Sequence, residues 1–282
     1  MPGPIEPIRP NFSADAYAGT APYYLRYRVP YPRRLLADVL ERSGVAGGGR
    51  LLDVACGPGR LALAIASSFR ETWAVDQEPE MIEAARREAE RRGVGGIKWM
   101  VGRAEDLEAP PDAFDLITFG ESFHRLDQRL MALQSKRWLK PGCRLAALGC
   151  YTILSGREPW QRTVVDVVRR WTSCPSKDSR GEEQKKAEFG PADCERVFLE
   201  AGFLGVASHA IVEPHDWTIE TILGYLYSTS VCSKNVLGRD RESFEADLRA
   251  SLLAIDPSGT YREDAQWGYT SGRKPGIGGR TP

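Results

Sequence analysis

The segment LLDVACGPGRLALAIA, from Leu51 to Ala66, reads as a buried strand, a glycine turn and a helix. Gly57 and Gly59 let the backbone pass close to a bound molecule, where a Cβ atom would collide with it. The exposed N–H groups at the start of the following helix favour an anionic group. This segment therefore predicts a ligand site at the carboxyl end of the first strand.

An acidic residue ends the next predicted strand. Asp76 lies 76 − 53 = 23 positions after Asp53, which is inside the first strand. At the tip of a second parallel strand, its carboxylate can accept both hydroxyls of a ribose. The run from Gly57 to Ala62 also satisfies the dinucleotide fingerprint GxGxxG/A. On these features alone a nucleotide cofactor is predicted, and an NAD(P)-dependent oxidoreductase is an open alternative.

Strand-like and helix-like patterns alternate around this segment. The predicted strands are Arg50–Val54, Thr72–Val75, Ile97–Val101, Phe114–Phe119 and Cys143–Tyr151. The predicted helices between them are Arg60–Phe69, Pro79–Arg92 and Gln128–Leu139. Short apolar strands that alternate with helices of this length are typical of a parallel sheet covered on both faces.

The segments before and after this alternation follow a different pattern. Residues 11 to 46 read as a tyrosine-rich helical lead-in that ends at Gly47-Gly48-Gly49. The charged stretch Ser173–Gly190 is predicted to be a mobile loop. The later predicted helices are Trp160–Thr172, Pro191–Ala201, Ile219–Ser228 and Arg241–Ile255, and the later predicted strands are Val206–Glu213 and Tyr261–Gly272.

Composition and charge limit the function classes. The 282-residue chain has 42% apolar and 27% charged residues, which is typical of globular proteins. Lys plus Arg and Asp plus Glu number 38 each, and this balance argues against a nucleic-acid partner. The Pro-rich start has no signal-peptide pattern, and no stretch reaches the ~20 apolar residues of a membrane span. We therefore expect a cytoplasmic protein without a membrane partner, with scattered cysteines that are reduced thiols.

Five segments, in order over roughly 100 residues, resemble the class I S-adenosylmethionine-dependent methyltransferases. They are DVACGPG (Asp53–Gly59), VDQEPEMIEAA (Val75–Ala85), GRAEDL (Gly102–Leu107), FDLITFGESFHRLD (Phe114–Asp127) and LKPGCRLAAL (Leu139–Leu148). The acid inside the first strand, together with the later segments, favours this family over the oxidoreductases. The segments YYLRYRVPYP (Tyr23–Pro32) and FHRLD are similar to a bacterial small-molecule subgroup related to trans-aconitate and ubiquinone-pathway methyltransferases. Arg125 stands where that subgroup usually has Trp after His.

The resemblance implies a Rossmann-like, doubly wound α/β fold with a mostly parallel, seven-stranded sheet. It implies a helical lead-in at residues 1–46 that covers the active site, and a methyltransferase domain at residues 47–282. Helical cap insertions are expected at residues 152–202 and 215–257.

The resemblance also implies contacts to S-adenosylmethionine, which leaves the reaction as S-adenosylhomocysteine. Asp53 is expected to organise the glycine loop near the methionine amino group, and Asp76 is expected to hold the ribose. Arg28 is a candidate ligand of the cofactor carboxylate, with a surface arginine as the other interpretation. The further implied contacts are Ala55, Gly57 and Gly59 for the methionine part, Gln77 and Met81 for the sugar and adenine, Ala104 and Glu105 for the adenine edge, and Phe119 and Gly120 for the sulfonium side.

The methyl acceptor is expected to be a small, apolar or aromatic molecule such as a secondary metabolite, and the reaction requires no metal. His124 follows the fourth strand, and it is either a general base for a hydroxyl or phenol or a residue that shapes the pocket. A protein that binds S-adenosylmethionine without catalysis is a further alternative. The candidates to contact the acceptor are Tyr17, Tyr23, Tyr24, Tyr27, Trp160, Trp217, Tyr225 and Tyr227.

Overall fold

The computed structural model describes residues 17–45, 47–156, 158–172 and 190–276. These residues contain one seven-stranded sheet. Its strands are β1 (Arg50–Val54), β2 (Glu71–Asp76), β3 (Ile97–Val101), β4 (Phe114–Gly120), β5 (Leu139–Tyr151), β6 (Leu204–Thr218) and β7 (Thr260–Arg273). Their order in the sheet is β3-β2-β1-β4-β5-β7-β6.

Helices separate the first five strands except between β3 and β4, and the remaining helices precede β6 and β7 in sequence. The helices are α1 (Ala21–Tyr27), α2 (Arg33–Ser43), α3 (Arg60–Ile65), α4 (Pro79–Arg92), α5 (Gln128–Trp138), α6 (Pro159–Thr172), α7 (Pro191–Glu200), α8 (Ile219–Tyr227), α9 (Lys234–Leu237) and α10 (Arg241–Leu253). Each predicted strand and helix after residue 49 corresponds to one of these elements. The predicted α/β class with a mostly parallel, seven-stranded sheet is therefore confirmed.

Parallel pairing brings three loops to one edge of the sheet. The central strand β1 pairs in parallel with β2 on one side and with β4 on the other, so that Leu52 lies between Trp73 and Ile117. The pairs β2–β3 and β4–β5 are also parallel. Because the carboxyl ends of parallel strands meet at one edge, the loops after β1, β2 and β4 lie together there.

The strand that precedes the glycine turn is anchored in the core. Leu51, Leu52 and Val54 are fully buried, as expected for a central parallel strand that is covered on both faces. The ring of Phe114 meets Trp73 edge-on, with 5.4 Å between ring centroids. Burying a side chain of this size contributes about 1.5–3 kcal/mol, so the core fixes the strand ends from which the loops emerge.

The chain divides into two compact units. Of the described residues, the first unit contains 17–29, 151–156, 158–172 and 212–266, and the second contains 30–45, 47–150, 190–211 and 267–276. The lead-in is thus split, since α1 lies in the first unit and α2 in the second. That residues 1–46 cover the active site stays a prediction.

Some predicted segments lie outside the described residues. These are the loop Ser173–Gly190 up to residue 189, the first sixteen residues, and the tail from residue 277 onward. Across the part of the chain that the structure does describe, no helix has the length and apolar character needed to cross a membrane.

Candidate cofactor site

The chain turns sharply after β1. Ala55, Gly57 and Gly59 have positive φ angles of 51°, 55° and 75°. Glycine adopts this backbone conformation freely, whereas it costs a residue with a Cβ atom roughly 1–2 kcal/mol. The amide of Cys56 donates to the carbonyl oxygen of Val75 at 3.0 Å, which joins the turn to the end of β2. The strained conformation of Ala55 is therefore held by the neighbouring strands, as is common in ligand-binding loops.

The two glycines of the turn have different surroundings. A Cβ atom added to Gly57 meets no atom within 4 Å, so this glycine faces open space. A Cβ atom added to Gly59 would lie 2.5 Å from Cη2 of Trp99 and 3.1 Å from Cβ of Ala85. The close packing of the turn against β3 and α4 therefore requires Gly59, while Gly57 leaves room for a molecule to approach the backbone.

A buried carboxylate fixes the helix that follows the turn. Asp53, in β1, is fully buried, and its side chain accepts hydrogen bonds from the hydroxyl of Thr118 at 2.8 Å and from the amide of Ala62 at 3.1 Å. Burial raises the pKa of Asp53 to about 7, although both hydrogen bonds oppose this rise. Asp53 thus joins β1, β4 and the first turn of α3, and its predicted role near the methionine amino group stays a prediction.

A second carboxylate stands at the end of β2. Asp76 accepts hydrogen bonds from the amides of Gly57 at 2.7 Å and Glu78 at 3.0 Å. Burial raises the pKa of Asp76, while these amides and the positive charge of Arg125 act in the opposite direction. The carboxylate therefore lies beside the glycine that faces open space, and its contact with the ribose stays a prediction.

Two candidates lie just after β2. Gln77 is exposed in the loop before α4, and the side chain of Met81 is buried in the first turn of that helix. A buried methionine contributes to the core regardless of any ligand. The contacts of Gln77 and Met81 with the sugar and adenine stay predictions.

Three further candidates lie after β3 and in β4. Ala104 and Phe119 belong to the hydrophobic core, where the ring of Phe119 meets Phe123 at 5.0 Å between centroids. The backbone carbonyl of Glu105 accepts a hydrogen bond from the side chain of Gln134 at 3.1 Å. The structure thus gives these residues packing roles, and their predicted contacts with adenine and the sulfonium stay predictions.

The loop after β4 is also strained. Glu121 has a φ angle of 57°, and its amide donates to the carbonyl of Leu148 at 2.8 Å. The hydroxyl of Ser122 donates to the carbonyl of Val54 at 3.1 Å, so the loop is bonded to the end of β1. His124 lies in the short 3₁₀ turn that follows and is exposed. Its role as base or pocket residue stays a prediction.

Arg28 belongs to the first unit, whereas the glycine turn belongs to the second. Its guanidinium donates to the hydroxyl of Ser228 at 2.8 Å and to the carbonyl of the same residue at 3.2 Å. It also lies over the rings of Tyr24 and Tyr225, at 4.5 and 5.0 Å from their centroids. Through these contacts Arg28 joins α1 to α8. They do not test its predicted contact with the cofactor carboxylate.

Sequence reasoning did not single out Arg60, Glu121 and Tyr31, which lie beside the turn. Arg60 pairs with Glu121, with 3.4 Å between Nη1 and Oε2, and lies 5.2 Å above the ring centroid of Tyr31. The ring of Tyr31 in turn contacts Trp267, with 4.8 Å between centroids. Two of the three had a local signal, because Arg60 directly follows the glycine turn and Glu121 directly follows Gly120.

Within residues 17–45, 47–156, 158–172 and 190–276, no group of three or more His, Cys, Asp or Glu side chains is arranged to hold a metal ion. The five cysteines in those ranges form no disulfide with one another.

Comparisons with known proteins agree with the geometry. A family model described as a methyltransferase domain matches residues 51–142. The chain is 26% identical to the demethylmenaquinone methyltransferase of Geobacillus kaustophilus over 199 residues, which are 67% of this chain and 83% of that protein. It is 36% identical to a ubiquinone/menaquinone biosynthesis C-methyltransferase of Azotobacter vinelandii over 114 residues, 39% of this chain but only 45% of that protein. The solved structure of the YcgJ protein from Bacillus subtilis shares the fold, with a TM-score of 0.55, 19% identity, and coverage of 86% of this chain and 99% of that one.

The sheet order, the glycine turn and the matched domain together define a methyltransferase. Residues 51–142 form a methyltransferase domain, with S-adenosylmethionine as its cofactor. The match thereby decides between the two nucleotide cofactors that the glycine turn alone left open.

Proposed function

We propose that this chain transfers the methyl group of S-adenosylmethionine to a small, apolar or aromatic acceptor. The observation that carries the proposal is the carboxylate of Asp76, bonded at 2.7 Å to the amide of Gly57, whose α-carbon faces open space. An elongated nucleoside can contact the backbone there and donate its ribose hydroxyls to the carboxylate.

Most of the catalysis expected from the protein is alignment. The cofactor, when bound, supplies a methyl group that is already activated on a sulfonium. Asp53 holds the first turn of α3 through Ala62 and the strand β4 through Thr118, so the backbone that faces the cofactor is fixed before binding. Holding the reacting groups in line removes much of the entropic cost of a reaction between two molecules.

Aromatic side chains of the first unit support the proposed acceptor class. They form connected pairs, with 5.4 Å between the ring centroids of Tyr23 and Tyr227, 6.3 Å between Tyr23 and Tyr27, and 5.5 Å between Trp217 and Tyr225. Aromatic surfaces favour apolar and aromatic ligands. The names of the two relatives support the same acceptor class, since they refer to demethylmenaquinone and to ubiquinone/menaquinone biosynthesis.

Calorimetry on the full-length protein is expected to show binding of S-adenosylhomocysteine and none of NADH. Incubation with S-adenosylmethionine and a panel of hydroquinones and phenols is then expected to yield a product heavier by one methyl group, read by mass spectrometry. RNA serves as the competing acceptor. Binding of NADH without S-adenosylhomocysteine would overturn the proposal, and methylation of RNA alone would overturn the small-molecule acceptor. Cofactor binding without transfer to any acceptor favours the non-catalytic alternative.

His124→Ala is expected to lower kcat by about 10²-fold and to leave the affinity for S-adenosylhomocysteine unchanged, because a general base contributes about 10²–10⁴-fold. His209→Ala, which changes a histidine on β6, is the matched control. A loss confined to KM would instead assign His124 to the shape of the pocket.

A further inference from the structure

A hollow on the surface of the second unit lies between α4 and β3 and is not used by the proposed function. Its volume is about 360 Å³, which is within the range of small-molecule pockets. One stripe at the end of α4 lines it, because Arg86, Ala89, Glu90 and Gly93 recur at helical spacing. Trp99, in β3, forms a further wall. The hollow therefore places an aromatic residue beside two side chains of opposite charge.

The two charged side chains of the hollow do not neutralise each other. Elsewhere on α4, Arg87 pairs with Glu83 four positions earlier, with 3.0 Å between Nη1 and Oε1. Arg86 and Glu90 are also four positions apart, yet they form no ion pair with each other or with any other residue that the structure describes. Arginine before glutamate is the less favourable order for a pair within a helix. Both charges are therefore available to a bound molecule.

The two charges suit groups of opposite sign on one ligand. Nη2 of Arg86 donates to the backbone carbonyl of Trp99 at 3.2 Å, which holds the guanidinium at the wall of the hollow. A guanidinium has five N–H donors, so the others can bind a carboxylate. Glu90 lies in the last turn of α4, where the negative end of the helix dipole also favours a positive group. The hollow thus fits a molecule that carries both a carboxylate and an ammonium.

The tryptophan of the hollow also supports the glycine turn. A Cβ atom added to Gly59 would lie 2.5 Å from Cη2 and 2.8 Å from Cζ3 of Trp99, so the far edge of the indole packs directly on the turn. Two positions earlier in the same turn, the amide of Gly57 donates to Asp76. A molecule that fixes the indole therefore also restricts the backbone at which the cofactor is proposed to bind.

We infer that the hollow binds a free aromatic α-amino acid and that its occupancy raises the affinity of the glycine turn for the cofactor. The ring of the amino acid packs on Trp99, its carboxylate binds Arg86 and its ammonium binds Glu90. A zwitterion provides a partner for both charges, whereas a simple anion or cation leaves one of them without a partner. The coupling to the cofactor rests on the proposed function, but the binding of the amino acid does not.

Calorimetry on the full-length protein with four ligands tests these contacts. L-tryptophan carries the ring and both charges, tryptamine lacks the carboxylate, 3-indolepropionate lacks the ammonium, and L-alanine lacks the ring. L-tryptophan is expected to bind with a dissociation constant of about 1 mM or below. Removal of either charge is expected to weaken binding about threefold, as is usual for exposed charge pairs, and L-alanine should show no measurable binding.

Variants then assign each contact. Arg86→Gln is expected to weaken L-tryptophan about threefold and to abolish the difference between it and tryptamine. Glu90→Gln is expected to abolish the difference between L-tryptophan and 3-indolepropionate. The matched control is Arg87→Gln, which removes one partner of the exposed pair Arg87–Glu83 on the same helix and should change none of the four affinities.

The coupling is measured with both ligands. Saturating L-tryptophan is expected to lower the dissociation constant of S-adenosylhomocysteine by about fivefold or more. Because coupling is reciprocal, S-adenosylhomocysteine should raise the affinity for L-tryptophan by the same factor. Trp99→Leu, which removes the ring shared by the hollow and the turn, should abolish this coupling.

The outcomes separate the two proposals. The site is wrong if L-tryptophan does not bind at millimolar concentration, or if Arg86→Gln and Arg87→Gln weaken it equally. Competition between L-tryptophan and S-adenosylhomocysteine means that the amino acid occupies the cofactor site, which also overturns the inference. An unchanged affinity for S-adenosylhomocysteine at saturating L-tryptophan overturns the coupling. Binding of L-tryptophan without any binding of S-adenosylhomocysteine overturns the proposed function and the coupling together, while the amino-acid site stands.

Discussion

Asp76→Ala is expected to weaken S-adenosylhomocysteine binding by about 10²-fold or more. Two hydrogen bonds from the ribose to a carboxylate are removed, each worth roughly 1.5–3 kcal/mol, and about 1.4 kcal/mol corresponds to a factor of ten. Calorimetry measures the change. Asp76→Asn tests the charge separately, because it retains a side-chain oxygen that can accept from the amide of Gly57.

The pH dependence provides a second measurement at Asp76. Burial raises the pKa of this carboxyl in the free protein, so protonation begins at a higher pH than for an ordinary aspartate. Only the ionised form accepts both ribose hydroxyls, and affinity should therefore fall as the pH is lowered from neutral. Asp106→Ala, an exposed acid in the loop after β3, is the control. Affinity of the Asp76→Ala protein equal to that of the unchanged protein would show that Asp76 only supports the turn.

The first half of the fold was predictable because its signals are local. The bounds of β1, β3 and α4 agree with the prediction, since apolar runs mark the two strands and a proline at the first helical position marks the helix. β6 was predicted to end at Glu213 but continues to Thr218. Proline at position 214 suggested an end, yet β6 is the last strand in the sheet order, and an edge strand tolerates proline.

Two other differences have physical causes. The lead-in was read as one helical segment, but α1 ends at Tyr27 and α2 begins at Arg33. Prolines at positions 30 and 32 disfavour helix in the residues before them, which separates the two helices. The four-residue helix α9 was not predicted, because so short a segment carries no helical period.

The sequence predicted those parts of the candidate site whose residues lie close together in the chain. Asp53, Gly57 and Gly59 were identified because they lie within one strand-turn-helix pattern. Asp76 was identified because it ends the strand that follows this pattern. Thr118, which bonds to Asp53, is 65 positions away, and Glu121 is 61 positions from Arg60. Contacts over such separations depend on the strand order, and a single sequence gives no direct signal of them.

Gly59→Ala is expected to lower the free energy of unfolding by about 2–5 kcal/mol, the largest stability effect in the turn. The left-handed conformation at φ 75° contributes about 1–2 kcal/mol, and crowding against Trp99 adds about 1–3 kcal/mol. Urea unfolding followed by tryptophan fluorescence measures the loss.

Gly57→Ala is the matched variant because its φ angle is also positive, at 55°, while the added Cβ atom would face open space. Its loss of stability should be limited to the backbone contribution of about 1–2 kcal/mol, whereas its affinity for S-adenosylhomocysteine should fall because the methyl group occupies the approach to the backbone. Adding Trp99→Leu to Gly59→Ala should recover part of the crowding loss in a double-mutant cycle. A larger loss of stability in Gly57→Ala than in Gly59→Ala would contradict the division of the turn into one glycine required for packing and one required for the ligand.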